Sequence, residues 1–220
     1  IKVCWFMLNA QNPIGFTVSD DLKYKIAKLL HQYHIHLIED DVYEELYSGL
    51  NKPLPMKYFD SNNLVLHCSS FSKTLGAGFR VGWVYAGKYS EQIQHLQLMS
   101  TISANTLIQN ALVEFVSSHH YEKHLRLLRR RLEKNKKRFT QYLKQHLGQC
   151  CEIYSFSVGY FIWIKLPLYL NSLELYHQLI TQQIGVAPSA LFNVLENNQH
   201  AIRLNCSFEW SPSIQTGLDT

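Results

Sequence analysis

Residues 1–47 change hydrophobic period twice, which restricts the chain to folds that interleave strands with helices. Residues 1–8 form an apolar run suited to a buried strand, and Asn9-Ala10-Gln11-Asn12-Pro13-Ile14-Gly15 has the composition of the loop leaving it. Ser19 then stands as an N-cap with Asp20 and Asp21 in the first turn, and Leu22, Ile26, Leu29, Leu30 and Tyr33 follow at helical spacing. Residues 35–38 return to a strand pattern, with the acidic stretch 39–47 directly at its C-terminal end. Strand, loop, helix and strand in this order predict a parallel sheet, in which ligands bind beyond the carboxyl ends of strands.

Two further apolar runs, residues 64–68 and 81–86, read as buried strands, and Lys73 lies in the turn between them among hydroxyls, glycines and Arg80. A lysine beside buried strands loses hydration, which favours its neutral, nucleophilic form; an ordinary surface-loop lysine is the alternative. Residues 89–118 have helical spacing, and a longer helix is predicted over 121–147 from Leu125, Leu128, Leu132, Phe139, Tyr142 and Leu143. Its other face carries Arg126, Arg129, Arg130, Arg131, Lys134, Lys136, Lys137 and Arg138. We read that face as solvated and not as a nucleic-acid patch, because Leu and Phe already account for the buried side. After Gly148 come strands over 152–155 and 160–166, a helix over 172–183, and a strand over 201–205. The expected organisation is part of a large domain over 1–118, a connecting helix over 119–147, and a small α+β domain over 148–220.

Composition narrows the class. A hydrophobic fraction of 46% with 13% aromatics excludes disorder, and no run approaches the roughly 18 apolar residues of a spanning helix. The five cysteines are odd in number, include the adjacent Cys150 and Cys151, and have no C-x-x-C spacing, so neither a disulfide framework nor a zinc site is expected. A soluble, cytoplasmic protein with reduced thiols follows. The net charge of +4 does not by itself imply nucleic acid. His31, His34 and His36 lack a carboxylate at ligand spacing and read as surface histidines, and His119-His120 as a helix start; no metal is expected. With no initiating methionine and no terminating element, the chain reads as a fragment of a longer polypeptide.

Three loops at strand ends remain: Asn12-Pro13-Ile14-Gly15, Asp40-Asp41-Val42-Tyr43, and Ser70-Phe71-Ser72-Lys73 with Arg80. Together they offer an amide, a carboxylate with a phenol, and an amine with two hydroxyls and a guanidinium. That inventory suits pyridoxal 5'-phosphate, whose aldehyde needs a lysine, whose ring nitrogen needs an acid, and whose phosphate needs hydroxyls and arginine. In motif, spacing and order the chain resembles the fold type I aminotransferases, with N-P-x-G, D-x-x-Y and S-x-S-K segments; Ile14 stands where the family commonly has threonine.

The resemblance implies an α/β fold: the C-terminal half of an aspartate aminotransferase-like large domain with a mostly parallel sheet, plus the smaller α+β domain. It further implies that Lys73 is the aldimine lysine and that Asn12 and Tyr43 bond the ring's 3' oxygen. Asp40 pairs with the ring nitrogen, favoured over Asp41 by its spacing to Tyr43. Ser70, Ser72 and Arg80 take the phosphate, and Arg203, with Asn12, takes a substrate α-carboxylate. Residues 38–43, 69–83, 159–163 and Ile202-Arg203-Leu204-Asn205-Cys206 with Trp210 are most similar to the aminotransferase-like domain of GntR-family regulators of the MocR type. That implies an effector domain sensing an amino compound by aldimine exchange at Lys73, with DNA bound only through an upstream winged helix-turn-helix outside this chain. The alternative is a free-standing aminotransferase acting on an α-amino acid and a 2-oxo acid. Either form is expected to be a homodimer without membrane contact.

Overall fold

Two four-stranded sheets account for the strand patterns, one in each of the two units into which the chain divides: residues 1–10 with 16–128, and residues 11–15 with 129–220. The computed structural model describes residues 1–49, 51–193 and 199–220.

In the first unit β1 (Val3–Phe6), β2 (His36–Asp40), β3 (Val65–Ser70) and β4 (Gly82–Tyr85) lie in that order. The first three are parallel and β4 returns antiparallel to β3. Helix α1 (Asp20–Tyr33) makes the crossover from β1 to β2. It starts where Ser19 Oγ accepts the Leu22 N–H and stops at His34, whose φ of 50° turns the chain out of the helix. Helices α2 (Ser90–Thr101) and α3 (Thr106–Ser117) follow β4.

Leu8, Leu30, Leu37, Met56 and Val65 form the first core, with Cys4, Val18, Ile26, Ala27 and Ile35 packed against it. Each fully buried side chain of this size contributes about 1.5–3 kcal/mol. The buried stripe of α1 therefore differs from the expected one. Leu22, Leu29 and Tyr33 are exposed, and the inner line runs through Lys23, Ile26, Ala27 and Leu30, with Lys23 wholly buried. The strands expected to be buried at 1–8 and 81–86 are also more open: among the described residues β1 lies at the end of its sheet and exposes Val3, Trp5 and Phe6, and all four residues of β4 are exposed. An apolar run reports strand propensity; its burial depends on the layer beside it.

The second unit contains β5 (Glu152–Tyr154), β6 (Phe161–Lys165), β7 (Ala187–Pro188) and β8 (Ala201–Asn205), in the antiparallel order β5-β6-β8-β7. Helix α4 (His119–Leu147) enters it at Arg129, and α5 (Ser172–Thr181) and α6 (Pro212–Asp219) complete it. Phe139 and Leu143 of α4, Ile162 and Ile164 of β6, and Leu166, Ile202 and Cys206 form its core. Lys136, expected on the solvated face of α4, is instead buried. Its ammonium donates to the carbonyls of Phe156 (2.6 Å), Val158 (3.2 Å) and Gly159 (2.7 Å), so all three protons are matched. Among the described residues no helix is long and apolar enough to cross a membrane.

Candidate functional site

Because β2 and β3 are parallel, their C-terminal ends lie side by side, with Asp40 paired to Cys68. After β2 the chain bends through bonds from Glu44 N–H to the Asp41 carbonyl (3.2 Å) and from Leu46 N–H to that of Tyr43 (2.8 Å). After β3 it turns more tightly: the Phe71 carbonyl accepts from the N–H groups of Thr74, Leu75 and Gly76 at 3.3, 2.9 and 3.2 Å. This second turn carries Ser72 and Lys73. It is anchored by the Phe71 ring, 5.0 Å from that of Trp83, and by the Thr74 carbonyl, 2.7 Å from His124 Nε2 in α4.

These two bends bring Asp40, Tyr43 and Lys73 together. Lys73 Nζ lies 5.8 Å from the centroid of the Tyr43 ring, within reach of a cation–π attraction. Burial holds the Asp40 carboxyl above its usual range, against the opposing pull of the Val42 N–H and the Lys73 ammonium. Its Oδ1 is buried without a hydrogen-bond partner. Asp41 turns elsewhere, accepting from Asn9 Nδ2 at 3.1 Å. Ser70 ends β3 opposite Gly82, where a Cβ would fall 2.8 Å from the Ser69 carbonyl oxygen, so only glycine permits this close pairing. Arg80 is exposed, with a φ of 53° that reverses the chain into β4 and with Nη1 3.4 Å from the Ala77 carbonyl.

Two predicted residues belong to the second unit and meet each other there. Arg203, in the middle of β8, donates from Nη1 to Asn12 Oδ1 at 2.6 Å. The Phe161 and Phe192 ring centroids lie 4.3 and 5.0 Å from its guanidinium. The rings fix the plane of the fork and keep water from one part of it, which suits bidentate binding of a carboxylate.

The donor set fits pyridoxal 5'-phosphate. A half-buried carboxyl with a buried, unmatched oxygen can take a cationic ring N–H, Lys73 offers the amine, and Ser70, Ser72 and Arg80 offer phosphate donors.

Sequence reasoning missed the polar groups behind Asp40 (Asn9, Lys23, Glu39 and His67) and the aromatic flanks of Arg203. Lys23 was legible in principle: it stands three, four and seven residues before Ile26, Ala27 and Leu30, on the inner line of α1.

The profile of the aminotransferase class I and II family matches residues 3–209. The chain is 47% identical over 210 residues to the HTH-type transcriptional regulator YdcR of Escherichia coli, covering 96% of this chain and 45% of that protein. It is 31% identical to the regulator YjiR of the same organism, covering 99% of this chain and 46% of the other. It is 28% identical to the regulator NorG of Staphylococcus aureus, covering 94% and 46%. The chain thus spans less than half the length of these curated relatives. Among solved structures, the kynurenine aminotransferase of Pyrococcus horikoshii superposes with a TM-score of 0.92 at 24% identity, over 99% of this chain and 54% of that one. The multiple substrate aminotransferase of Thermococcus profundus gives 0.91 at 23%, with the same coverage. At these identities the two structures speak for the fold.

Proposed function

The chain belongs to the aminotransferase class I and II family, and from that premise we propose that it is the pyridoxal 5'-phosphate-binding effector domain of a GntR/MocR-type transcriptional regulator, sensing an amino compound by exchange at Lys73. The observation that carries the reading is Asp40, a half-buried carboxyl whose Oδ1 is buried and unmatched and on which the Lys73 ammonium acts. An acid held above its usual range by burial gains most from a cationic N–H partner, and a pyridinium is one.

When bound, the cofactor supplies an aldehyde with which amines condense and a ring that takes up electrons. The chain's own residues do the rest. Asp40 would take the ring nitrogen's proton, and Tyr43 and Asn12 would bond the ring oxygen. Ser70, Ser72 and Arg80 would hold the phosphate. Lys73 would offer its amine to the aldehyde and can carry a proton at Nζ. Arg203, steadied by Asn12, grips the amino compound's carboxylate. DNA contact is assigned to a module outside this chain, in keeping with relatives named as HTH-type regulators that are about twice its length. A homodimer is the expected form.

Full-length protein titrated with pyridoxal phosphate should develop a visible absorbance band that Lys73→Ala abolishes; a band unchanged in that variant removes the lysine assignment. A gel shift on its own promoter region tests the regulator. Steady turnover of an amino acid without DNA binding would replace it with the free-standing aminotransferase.

A further inference from the structure

Behind Asp40, on the other side of β2, lies a buried polar network that the proposed chemistry does not use. Glu39 and Asp41 flank Asp40 and are 0% and 1% exposed. Alternation along a strand sends them away from the side on which Lys73 acts on Asp40. Both are tied down. Glu39 Oε1 accepts the Met56 N–H at 2.5 Å, and its Oε2 accepts the Lys57 N–H at 3.1 Å and meets His67 Nδ1 at 3.0 Å. His67 is the register partner of Glu39 on β3. Asp41 Oδ2 accepts from Asn9, and Asn9 Oδ1 in turn accepts from Lys23 Nζ at 2.8 Å. Lys23 also donates to the Leu54 carbonyl at 2.6 Å. The main chain of Asp41 is held too, its N–H on the Cys68 carbonyl (2.8 Å) and its carbonyl on Ser69 Oγ (3.1 Å).

We infer that His67, through Glu39, and Lys23 with Asn9, through Asp41, are positioning residues for Asp40: they fix the residues before and after it, so the Asp40 carboxylate is presented to a cofactor in one orientation. This rests on the role given to Asp40 above. Three side-chain donor atoms, from Glu39, Asp41 and His67, lie within 4.8 Å of one another, a spacing a metal could also exploit. Protein donors already take both Glu39 oxygens, and the Lys23 ammonium supplies positive charge beside both carboxylates. That points to hydrogen bonding in place of coordination. The charges are shared accordingly. Burial, then Glu39 and Glu44, push Asp41 up to about 7; burial would lower His67, but the Glu39 hydrogen bond and the nearby carboxylates raise it.

The test uses full-length protein and compares His67→Phe, His67→Gln, Asn9→Ala and Asp40→Asn by pyridoxal phosphate affinity, read from tryptophan quenching, by the absorbance maximum of the bound cofactor, and by melting temperature. His67→Phe should weaken cofactor binding about tenfold, a size known for outer-shell partners elsewhere, and shift the absorbance maximum. His67→Gln, which keeps an N–H for Glu39, should restore both. Asn9→Ala acts on the other arm and should repeat the loss even where His67→Phe does not fold. Variants that melt lower yet bind and absorb as the parent protein would overturn the positioning role. Retention of one equivalent of zinc after dialysis, lost in His67→Gln, would overturn it in favour of a metal. If Asp40→Asn itself leaves affinity unchanged, the Asp40 assignment falls; if Asp40→Asn weakens binding and the flanking variants do not, only this inference falls.

Discussion

Replacing Lys136 by methionine gives a direct measure of what a buried ammonium does to this fold. Lys136 is 6% exposed, and two of its three carbonyl acceptors, on Val158 and Gly159, belong to buried residues that cannot turn to water. Burial pushes its ionisation down from 10.5 to about 8, with Cys206 and Glu133 opposing. The folded chain then releases this proton near pH 8, while the unfolded chain keeps it until about 10.5, so the unfolded state binds more protons in between and stability rises with pH across that window. At 1.36 kcal/mol per unit, a step from about pH 7.5 to about 9.5 should add about 2 kcal/mol from Lys136 alone. Lys136→Met should be less stable at neutral pH, having stripped three carbonyls of their donor, and should lack this increment. The assay is urea unfolding of parent and variant at both pH values, reading the difference of differences so that other titrating groups cancel. Equal pH slopes in the two proteins would refute the reasoning and mean that the carbonyl cage keeps the ammonium charged throughout.

Two further substitutions test packing. Gly82→Ala places a methyl 2.8 Å from the Ser69 carbonyl oxygen and 3.2 Å from Ser70 Cβ; it should cost about 1–3 kcal/mol, as overpacking does, and an unchanged thermal midpoint would contradict the close pairing of β3 with β4. Phe139→Ala opens the second core beside Trp210, whose ring is 5.2 Å away. It should cost about 3–5 kcal/mol and red-shift tryptophan emission, and a cost below about 1 kcal/mol would show that α4 packs elsewhere.

What the sequence disclosed was decided by local chemistry. Ser19 with two acidic residues marked the start of α1, and the alternating run at 201–205 marked β8, because caps and periods act over a few residues. The motif segments were picked out the same way, by their composition at or just beyond strand ends. Two kinds of feature escaped. Lys23 and Lys136 occupy apolar positions on their helices, and sorting residues by type sends a lysine outward even when its spacing to Leu30 or Phe139 sends it inward. Glu39 and His67 are 28 residues apart and become neighbours only through the parallel register of β2 with β3, which no local pattern encodes. Exposure of β1 and β4 was illegible for a related reason: a strand's composition does not say which of its neighbours are present.

The bond between Asn12 and Arg203 spans 191 positions, and this bears on how the chain comes to fold. Residues 11–15 group with 129–220, although residues on both sides of them group with the first unit. The second unit is therefore not one continuous stretch, and a fragment starting at Arg129 could form its sheet yet would leave Arg203 without its amide partner. During synthesis Asn12 must wait for 191 further residues before its acceptor finds the guanidinium. Contacts this distant in sequence form late, because so much chain entropy must be lost first. The Asn12–Arg203 pair, the proposed carboxylate fork, is thus expected to be among the last parts of the molecule to form.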